Sequence, residues 1–514
     1  VLVLVGVRTV TCTAAPSGEW ISVDPHTGHL VDSWGRIRLF HGVNAVYKPA
    51  PFHPPILDHF DVDLSLSPQD ALLMREWGFN VVRLHAAWQG VEPERGHFNH
   101  TYVDVLETMV GILNAEGIHV LLDAHQDVFS RRFCGEGVPD FAVIVDEGQP
   151  QFADPVASGF SFDSEGNPSL EDCLKHVFAE FYLSHRVGNA FQNLYDNKDG
   201  IADEFAASWR TVAQRFSNHS GVLGYELINE PWFGDVYKNP MLLVEQGLAD
   251  KINLAPLYER LAAAIRQVDQ EHMIFYEPAL VDITPLGFQH GPGGPDYNNR
   301  SVLSYHSYCG DVDEHGDPRN QIICDMELGA ELEGRVEQAR KLGGGSFMTE
   351  WGANTGSSSG SQQMESVTGI ADELLQSWTY WQYKYYNDYT TQNHPAYTEG
   401  LFLPDGGVQE QKIKDLSRTY AQAIAGVPHR MLFVPATALF ELEYTLQEPV
   451  SRQPTLIFAN QKLHYPRGMH VEVLPATAAT VVQQNGQGPN YWEVHHTAEA
   501  VSSGQRVTIR FSPK

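Results

Sequence analysis

A (β/α)8 barrel with a small antiparallel β-sandwich at its C-terminal end is the fold this sequence predicts. Three observations carry the prediction. Short apolar runs recur eight times over roughly 390 residues, separated by segments of helical period, which is the pattern of a parallel barrel. Each run ends in polar residues, as strands do where a barrel displays its working side chains. After Gly426-Val427-Pro428 the period shortens to alternation, the mark of half-buried antiparallel strands.

The chain divides in order. Val1-Leu2-Val3-Leu4-Val5-Gly6-Val7, followed by small residues near Cys12-Thr13-Ala14-Ala15, is expected to be the tail of a secretory signal peptide, residues 1–15. Residues 16–427 are expected to hold the barrel and 428–514 the sandwich. Within the first, residues 18–38 predict an opening hairpin punctuated by Gly28 and Gly35. The barrel runs follow: Leu39–Asn44, Asn80–His85, His119–His125, Val222–Pro231, Met273–Pro278, Ser301–His306, Ser346–Gly352 and Trp378–Tyr383. The helix before the second run has Ser67 as its cap and Pro68 at its first position. A long insertion near 129–200, rich in Gly, Pro and aromatics, follows the third run and is expected to wall the substrate site. The fourth run is almost wholly apolar, as a strand buried on both faces looks, and is expected to extend to Pro231, which cannot donate to a ladder.

Composition narrows the function. The 514 residues carry a formal net charge of −30, which argues against nucleic acid or anionic membrane as a partner. No run after the leader approaches the roughly 18 apolar residues a membrane span needs. Of five cysteines, Cys12 lies beside the leader. The others fall into two neighbourhoods, Cys134 with Cys173 and Cys309 with Cys324, read as two disulfides of an oxidising compartment. Sequons at Asn99, Asn218 and Asn299 agree with a secreted or lysosomal and digestive setting. No cysteine or histidine spacing points to a metal.

The strand ends carry Arg83, His125 with Asp127, Asn229 with Glu230, His306 with Tyr308, Glu350 and Trp381. All converge on one face of a barrel, with the fourth and seventh strands facing each other across it. Two carboxylates so placed are the parts of a glycosidase: one protonates the leaving oxygen and the other attacks the anomeric carbon. Glu230 is assigned as acid/base, because Asn229 beside it is placed to hold a sugar 2-hydroxyl. Glu350 is assigned as nucleophile, with Tyr308 and Arg83 donating to keep a carboxylate ionised and His306 in support. Trp381 offers a flat apolar face to a sugar ring. This chemistry calls for no cofactor.

These strand ends resemble glycoside hydrolase family 5. Leu121-Leu122-Asp123-Ala124-His125-Gln126-Asp127, Arg131-Arg132-Phe133-Cys134-Gly135-Glu136-Gly137-Val138-Pro139 and Glu226-Leu227-Ile228-Asn229-Glu230-Pro231-Trp232 resemble, more narrowly, the endoglycoceramidases. The resemblance implies retaining cleavage between oligosaccharide and ceramide in glycosphingolipids, with Lys48, His125 and Asp127 touching the sugar beside the broken bond. The chain is expected to be a monomer in transient contact with a lipid surface, with or without a detergent or activator protein. Pro49-Ala50-Pro51-Phe52, Val138–Val145 and Trp232-Phe233 are the candidate path for the lipid. Two alternatives stay open: another family-5 β-glycosidase acting on glucosylceramide, a steryl glucoside or a β-glucan, and an inactive carbohydrate-binding barrel.

Overall fold

The computed structural model describes residues 19–57, 59–150, 152, 159–280, 287–313, 315–388, 390 and 398–514. The expected leader, with Cys12, lies outside them. A closed barrel of eight parallel strands forms, from β1 (His41–Ala45), β2 (Val81–His85), β3 (His119–Asp123), β4 (Val222–Glu226), β5 (Met273–Tyr276), β6 (Ser301–Ser307), β7 (Gly345–Gly352) and β8 (Trp378–Trp381). Helices α1 (Pro68–Trp77), α2 (His100–Ala115), α3 (Ile201–Phe216), α4 (Ala255–Arg266), α5 (Gln321–Lys341) and α6 (Ser358–Leu374) pack outside it. Between β5 and β6 the described residues hold only a 3-10 turn, Pro295–Arg300. The start of α1 follows the expected chemistry, with Pro68 in the first turn and the Ser67 backbone N–H donating to Asp70 at 2.7 Å.

Parallel register sets the height of each strand-end side chain. Asn44 lies beside Arg83, His85 beside Asp123, Asp123 beside Glu226, and His306 beside Glu350. Gly224 on β4 is required for this closeness, because a Cβ there would lie 2.1 Å from the carbonyl oxygen of Met273 on β5.

β4 ends at Glu226, short of the expected Pro231. Past Glu226 backbone bonding continues at Leu227 and Asn229, whose N–H groups donate to the carbonyls of Phe275 and Ala124, each at 3.1 Å, and a side chain adds to it. The Gln126 carboxamide donates to the carbonyls of Asn229 at 2.7 Å and Glu230 at 3.0 Å. Glu230 therefore sits on the loop beyond the strand, with φ of 41°. A non-glycine residue in that region costs about 1–3 kcal/mol and persists only where its surroundings enforce it.

The base of the barrel is plugged by the opening hairpin, in which Ser22–Val23 pairs antiparallel with Leu30–Val31. Ile21, Val23 and Leu30 form one apolar cluster with Val81, Leu121, Leu223, Phe275, Val302 and Phe347. The next segment, Ile37–Arg38, pairs with Tyr420–Ile424. That strand also pairs with Thr455–Phe458, so the hairpin extends a seven-stranded C-terminal sheet. A four-stranded sheet lies beside it in the chain's C-terminal part. The domain boundary expected at 427/428 is thus too late, since Tyr420–Ile424 already belongs to the sandwich. Four of its five residues are buried, so it lacks the alternation that marks its neighbours.

Arg418, fully buried, joins the two units. It donates to Asp372 on α6 at 2.6 and 3.0 Å and to the carbonyl of Phe433 at 3.0 Å. Burial pushes the Asp372 carboxyl up to about 6 despite this guanidinium. Replacing Arg418 by Met strands that carboxylate and is expected to lower stability by about 3 kcal/mol, the lower end for breaking a buried pair. Urea unfolding of both proteins checks it, and a change below about 1 kcal/mol would contradict it.

Both expected disulfides form, Cys134–Cys173 across the insertion and Cys309–Cys324 between the loop after β6 and α5. Asn99, Asn218 and Asn299 are all exposed.

Candidate active site

A cavity of about 360 Å³ opens at the C-terminal ends of the strands, and His125, Asp127, Glu230, Tyr308, Glu350 and Trp381 are among the residues that line it. Six of the predicted site residues thus meet at one surface. One oxygen each of Glu230, Glu350 and a nitrogen of His306 lie within 4.8 Å of one another.

Arg83 organises the carboxylates from beneath. It is fully buried, and its Nε donates to Glu226. Its Nη1 reaches Asn44 at 3.0 Å and Glu350 at 3.2 Å, and its Nη2 reaches Asn229 at 2.8 Å and Asp123 at 3.1 Å. The Tyr308 hydroxyl donates to the other oxygen of Glu350 at 2.7 Å. Both Glu350 oxygens are therefore held, with one facing a fixed positive charge. Burial still raises the Glu350 carboxyl above its ordinary value, with His306 and Arg83 acting against it.

Glu230 has a different environment. Its carboxylate meets Nδ1 of His306 at 2.8 Å and has no guanidinium in contact. Burial and the nearby Asp127 charge push its carboxyl up to about 7. The carboxyl that stays protonated near neutrality is the one on the loop after β4, and the one in direct contact with Arg83 is on β7. This is the division a glycosidase needs between acid and nucleophile.

The activity that follows is bell-shaped in pH. On the roles expected from sequence, the rising limb is the ionisation of Glu350 and the falling limb the loss of the Glu230 proton near 7. The optimum is expected on the acid side of neutrality, and a kcat/KM profile that still climbs above pH 8 would contradict it.

His125 and Asp127 face the cavity as expected. Burial disfavours the His125 cation, but hydrogen bonds to Asp123 and Asp127 outweigh it and push the imidazole up to about 10. Trp381 lies parallel to His125, centroids 5.3 Å apart, and its Nε1 donates to Glu399 at 3.1 Å.

Two predicted sugar contacts are placed otherwise. Lys48 is fully buried behind the cavity, with Nζ 2.6 Å from Asp127, 2.6 Å from Thr390 and 2.8 Å from Asp388. It acts on the site through Asp127. Asn229 is 1% exposed, with Oδ1 taken by Arg83 and Nδ2 donating to the Gln126 carbonyl at 2.9 Å, so it braces the loop that carries Glu230.

The candidate lipid path is also corrected. Trp232, Phe233 and Val138 are core, and Phe52 and Pro139 line a separate cavity of about 720 Å³ under the insertion. The apolar side of the catalytic cavity is Phe178, Ala179, Leu280, Val312 and Val367, none of which stood out in sequence. Asp123, Glu226 and Glu277 also escaped the sequence reading, although the first two sit inside quoted motifs. An acidic residue within an otherwise apolar strand was their available signal.

By distance alone, His125/Asp127/Glu136, Glu226/Glu277/His306 and Glu230/His306/Glu350 are close enough to share an ion. Each group already faces a fixed cation: Lys48 lies 3.6 Å from Glu136, and Arg83 contacts both Glu226 and Glu350.

Comparison with known proteins agrees with this geometry. Residues 65–387 match the model described as cellulase (glycosyl hydrolase family 5), and residues 418–510 match the family 5 C-terminal domain. This chain belongs to glycosyl hydrolase family 5. Within the family it groups with the endoglycoceramidases. It is 39% identical to an endoglycoceramidase of Hydra vulgaris, over 89% of this chain and 84% of that one. It is 36% identical to that of Cyanea nozakii, over 100% and 99%. Endo-glycoceramidase II from Rhodococcus sp. superposes with a TM-score of 0.72 at 25% identity, covering 95% of this chain and 99% of that one. The family 5 C-terminal match, which begins at 418, supports the earlier boundary seen in the sheet.

Proposed function

We propose that this chain is a retaining endo-glycosidase that cuts glycosphingolipids between glucose and ceramide, releasing both halves intact. The observation that carries this reading is one cavity with two kinds of lining. The glutamate pair, one oxygen of each within 4.8 Å of the other, shares it with the apolar side chains of Phe178, Leu280, Val312 and Val367. That closeness falls on the side of the roughly 5–5.5 Å of retaining enzymes and away from the roughly 6.5–9.5 Å at which inverting enzymes hold their two carboxyl groups. Glu350 attacks the anomeric carbon while Glu230 gives its proton to the ceramide oxygen. The resulting glycosyl ester on Glu350 is then hydrolysed by water that Glu230 deprotonates.

Contact with a lipid surface follows from the substrate. Val177, Val244, Ile322 and Met326 are each at least 64% exposed and support it. Passage through the secretory route is supported by two disulfides and three exposed sequons, and the chain is read as a glycoprotein on that ground.

Product analysis tests the reading. Incubation with a ganglioside at mildly acidic pH is expected to give intact oligosaccharide in water and free ceramide in the organic phase, both read by mass spectrometry. Sugars trimmed one at a time, or turnover confined to glucosylceramide, a steryl glucoside or a β-glucan, would move the enzyme elsewhere in family 5. Glycolipid binding without products would make it a binding protein.

A further inference from the structure

Glu277 follows β5 and is 3% exposed, yet it does not line the catalytic cavity. It lines a second cavity of about 210 Å³, together with His306, Tyr305, Glu331 and Arg335, which shares Glu230, Leu280 and Tyr308 with the first. Its Oε2 accepts the backbone N–H of Glu230 at 3.3 Å. Its Oε1 lies 3.4 Å from Nε2 of His306. Among the described residues neither of those two atoms is engaged in a hydrogen bond, and the other near group is Nη2 of Arg83, 3.8 Å from the same Oε1. Two buried polar atoms so placed call for a proton between them, carried on Oε1 or on Nε2. His306 in turn presents Nδ1 to Glu230 at 2.8 Å. Glu277, His306 and the acid/base therefore form one line.

We propose that Glu277 is a positioning residue for the acid/base: it donates a proton from Oε1 to Nε2 of His306 and so fixes the ring as the tautomer whose Nδ1–H donates to Glu230. The assignment rests on the glycosidase reading of Glu230.

The surroundings favour this neutral arrangement over an imidazolium–carboxylate pair. His306 faces Glu230, Glu350 and Glu226, but also Arg83 and His125, and burial lowers its basicity. Glu277 faces Glu226, Glu230 and Asp123 as well as Arg83, and burial with the Glu226 charge raises its carboxyl well above the ordinary range. The consequence is directional. With Nδ1–H pointed at Oε1 of Glu230, the acidic proton is left on the other oxygen, free for the leaving group. With the opposite tautomer, Nδ1 becomes an acceptor and draws that proton away from the substrate.

Leaving-group dependence separates this role from a structural one. In the full chain, Glu277→Ala is expected to lower kcat/KM by roughly 30-fold or more on a glycosphingolipid and on an alkyl β-cellobioside, whose departure needs an acid. On 2,4-dinitrophenyl β-cellobioside, which leaves unaided, the loss is expected to stay within about threefold. The falling limb of the pH profile should move to higher pH, because ionised Glu230 loses a donor. Glu277→Gln, whose amide N–H still reaches Nε2, should restore most of the activity. Equal losses on both cellobiosides with no rescue by Gln, or no loss at all, would overturn the proposal. Nitrogen NMR of His306 in the unaltered enzyme decides it independently of any variant: a protonated Nδ1 with bare Nε2 is expected, and the reverse would overturn it. An enzyme that splits the cellobiosides but no glycosphingolipid would refute the substrate and leave the comparison of leaving groups intact.

Discussion

Glu350→Gln is expected to lose at least about four orders of magnitude in kcat, the scale on which a covalent nucleophile matters. Binding of glycolipid should survive almost unchanged. The amide is isosteric and keeps an oxygen for the Tyr308 hydroxyl; its NH2 gives up the Arg83 contact, but Arg83 stays anchored on Glu226 and Asp123, so the cavity wall stays in place. What it lacks is the negative charge that attacks the anomeric carbon and becomes the glycosyl ester. Calorimetric titration with a slow-turnover glycolipid, beside single-turnover rates, separates the two effects. Hydrolysis at the unaltered rate would place the nucleophile elsewhere. A parallel loss of binding would mean that the substitution had disturbed the wall.

Arg83→Met is the second large effect, and it acts on stability as well as rate. Arg83 contacts Glu226, Asp123 and Glu350 in a region from which solvent is excluded. Removing one partner of a buried pair costs about 3–5 kcal/mol, because the other charge is left uncompensated. Several carboxylates are stranded together here, and they respond by taking up protons. Glu350 is one of them, so the variant should lose turnover most at low pH, where a nucleophile with a raised pKa is already protonated. Arg83→Lys is not expected to rescue it, since one ammonium cannot span the acceptors that a planar fork reaches. Urea unfolding and a pH series of kcat/KM measure both halves. A variant within about 1 kcal/mol of the parent, with its acid limb unmoved, would contradict the role assigned to Arg83.

The parts of the site that were legible in sequence are those borne on strands. Arg83, His125 and Glu350 stand out because a polar residue at the end of an apolar run has one direction to point in a closed barrel. Asn229 was legible as a site residue but not in its role, since its hydrogen bonds go to Arg83 and to a carbonyl of the loop after β3. Lys48 was likewise visible only by resemblance, and its work on Asp127 depends on Asp388 and Thr390, more than 300 positions away in the chain. The apolar wall was the least legible part. Phe178, Leu280, Val312 and Val367 come from four separate segments, and nothing in a single stretch marks a leucine as cavity lining instead of core. The early end of β4 was hidden for a related reason: the Gln126 amide that holds the Asn229 and Glu230 carbonyls belongs to another strand's loop.

The pairing of Ile37–Arg38 with Tyr420–Ile424 bears on how the chain is made. Arg38 donates to the carbonyl of Gln422, 384 positions later. A ribosome releases the opening hairpin first, so its outer edge waits for a partner until nearly the whole barrel has emerged. Contacts of such separation in sequence close last and slowly. Over that interval the barrel already has its eight strands but a bare rim of backbone N–H and C=O groups at its base. Arrest or truncation before residue 420 would leave a catalytic domain with every reacting group present and an unpaired strand exposed to neighbouring chains. The C-terminal sheet thus also serves as the closing step of biosynthesis, sealing an edge that the first forty residues open.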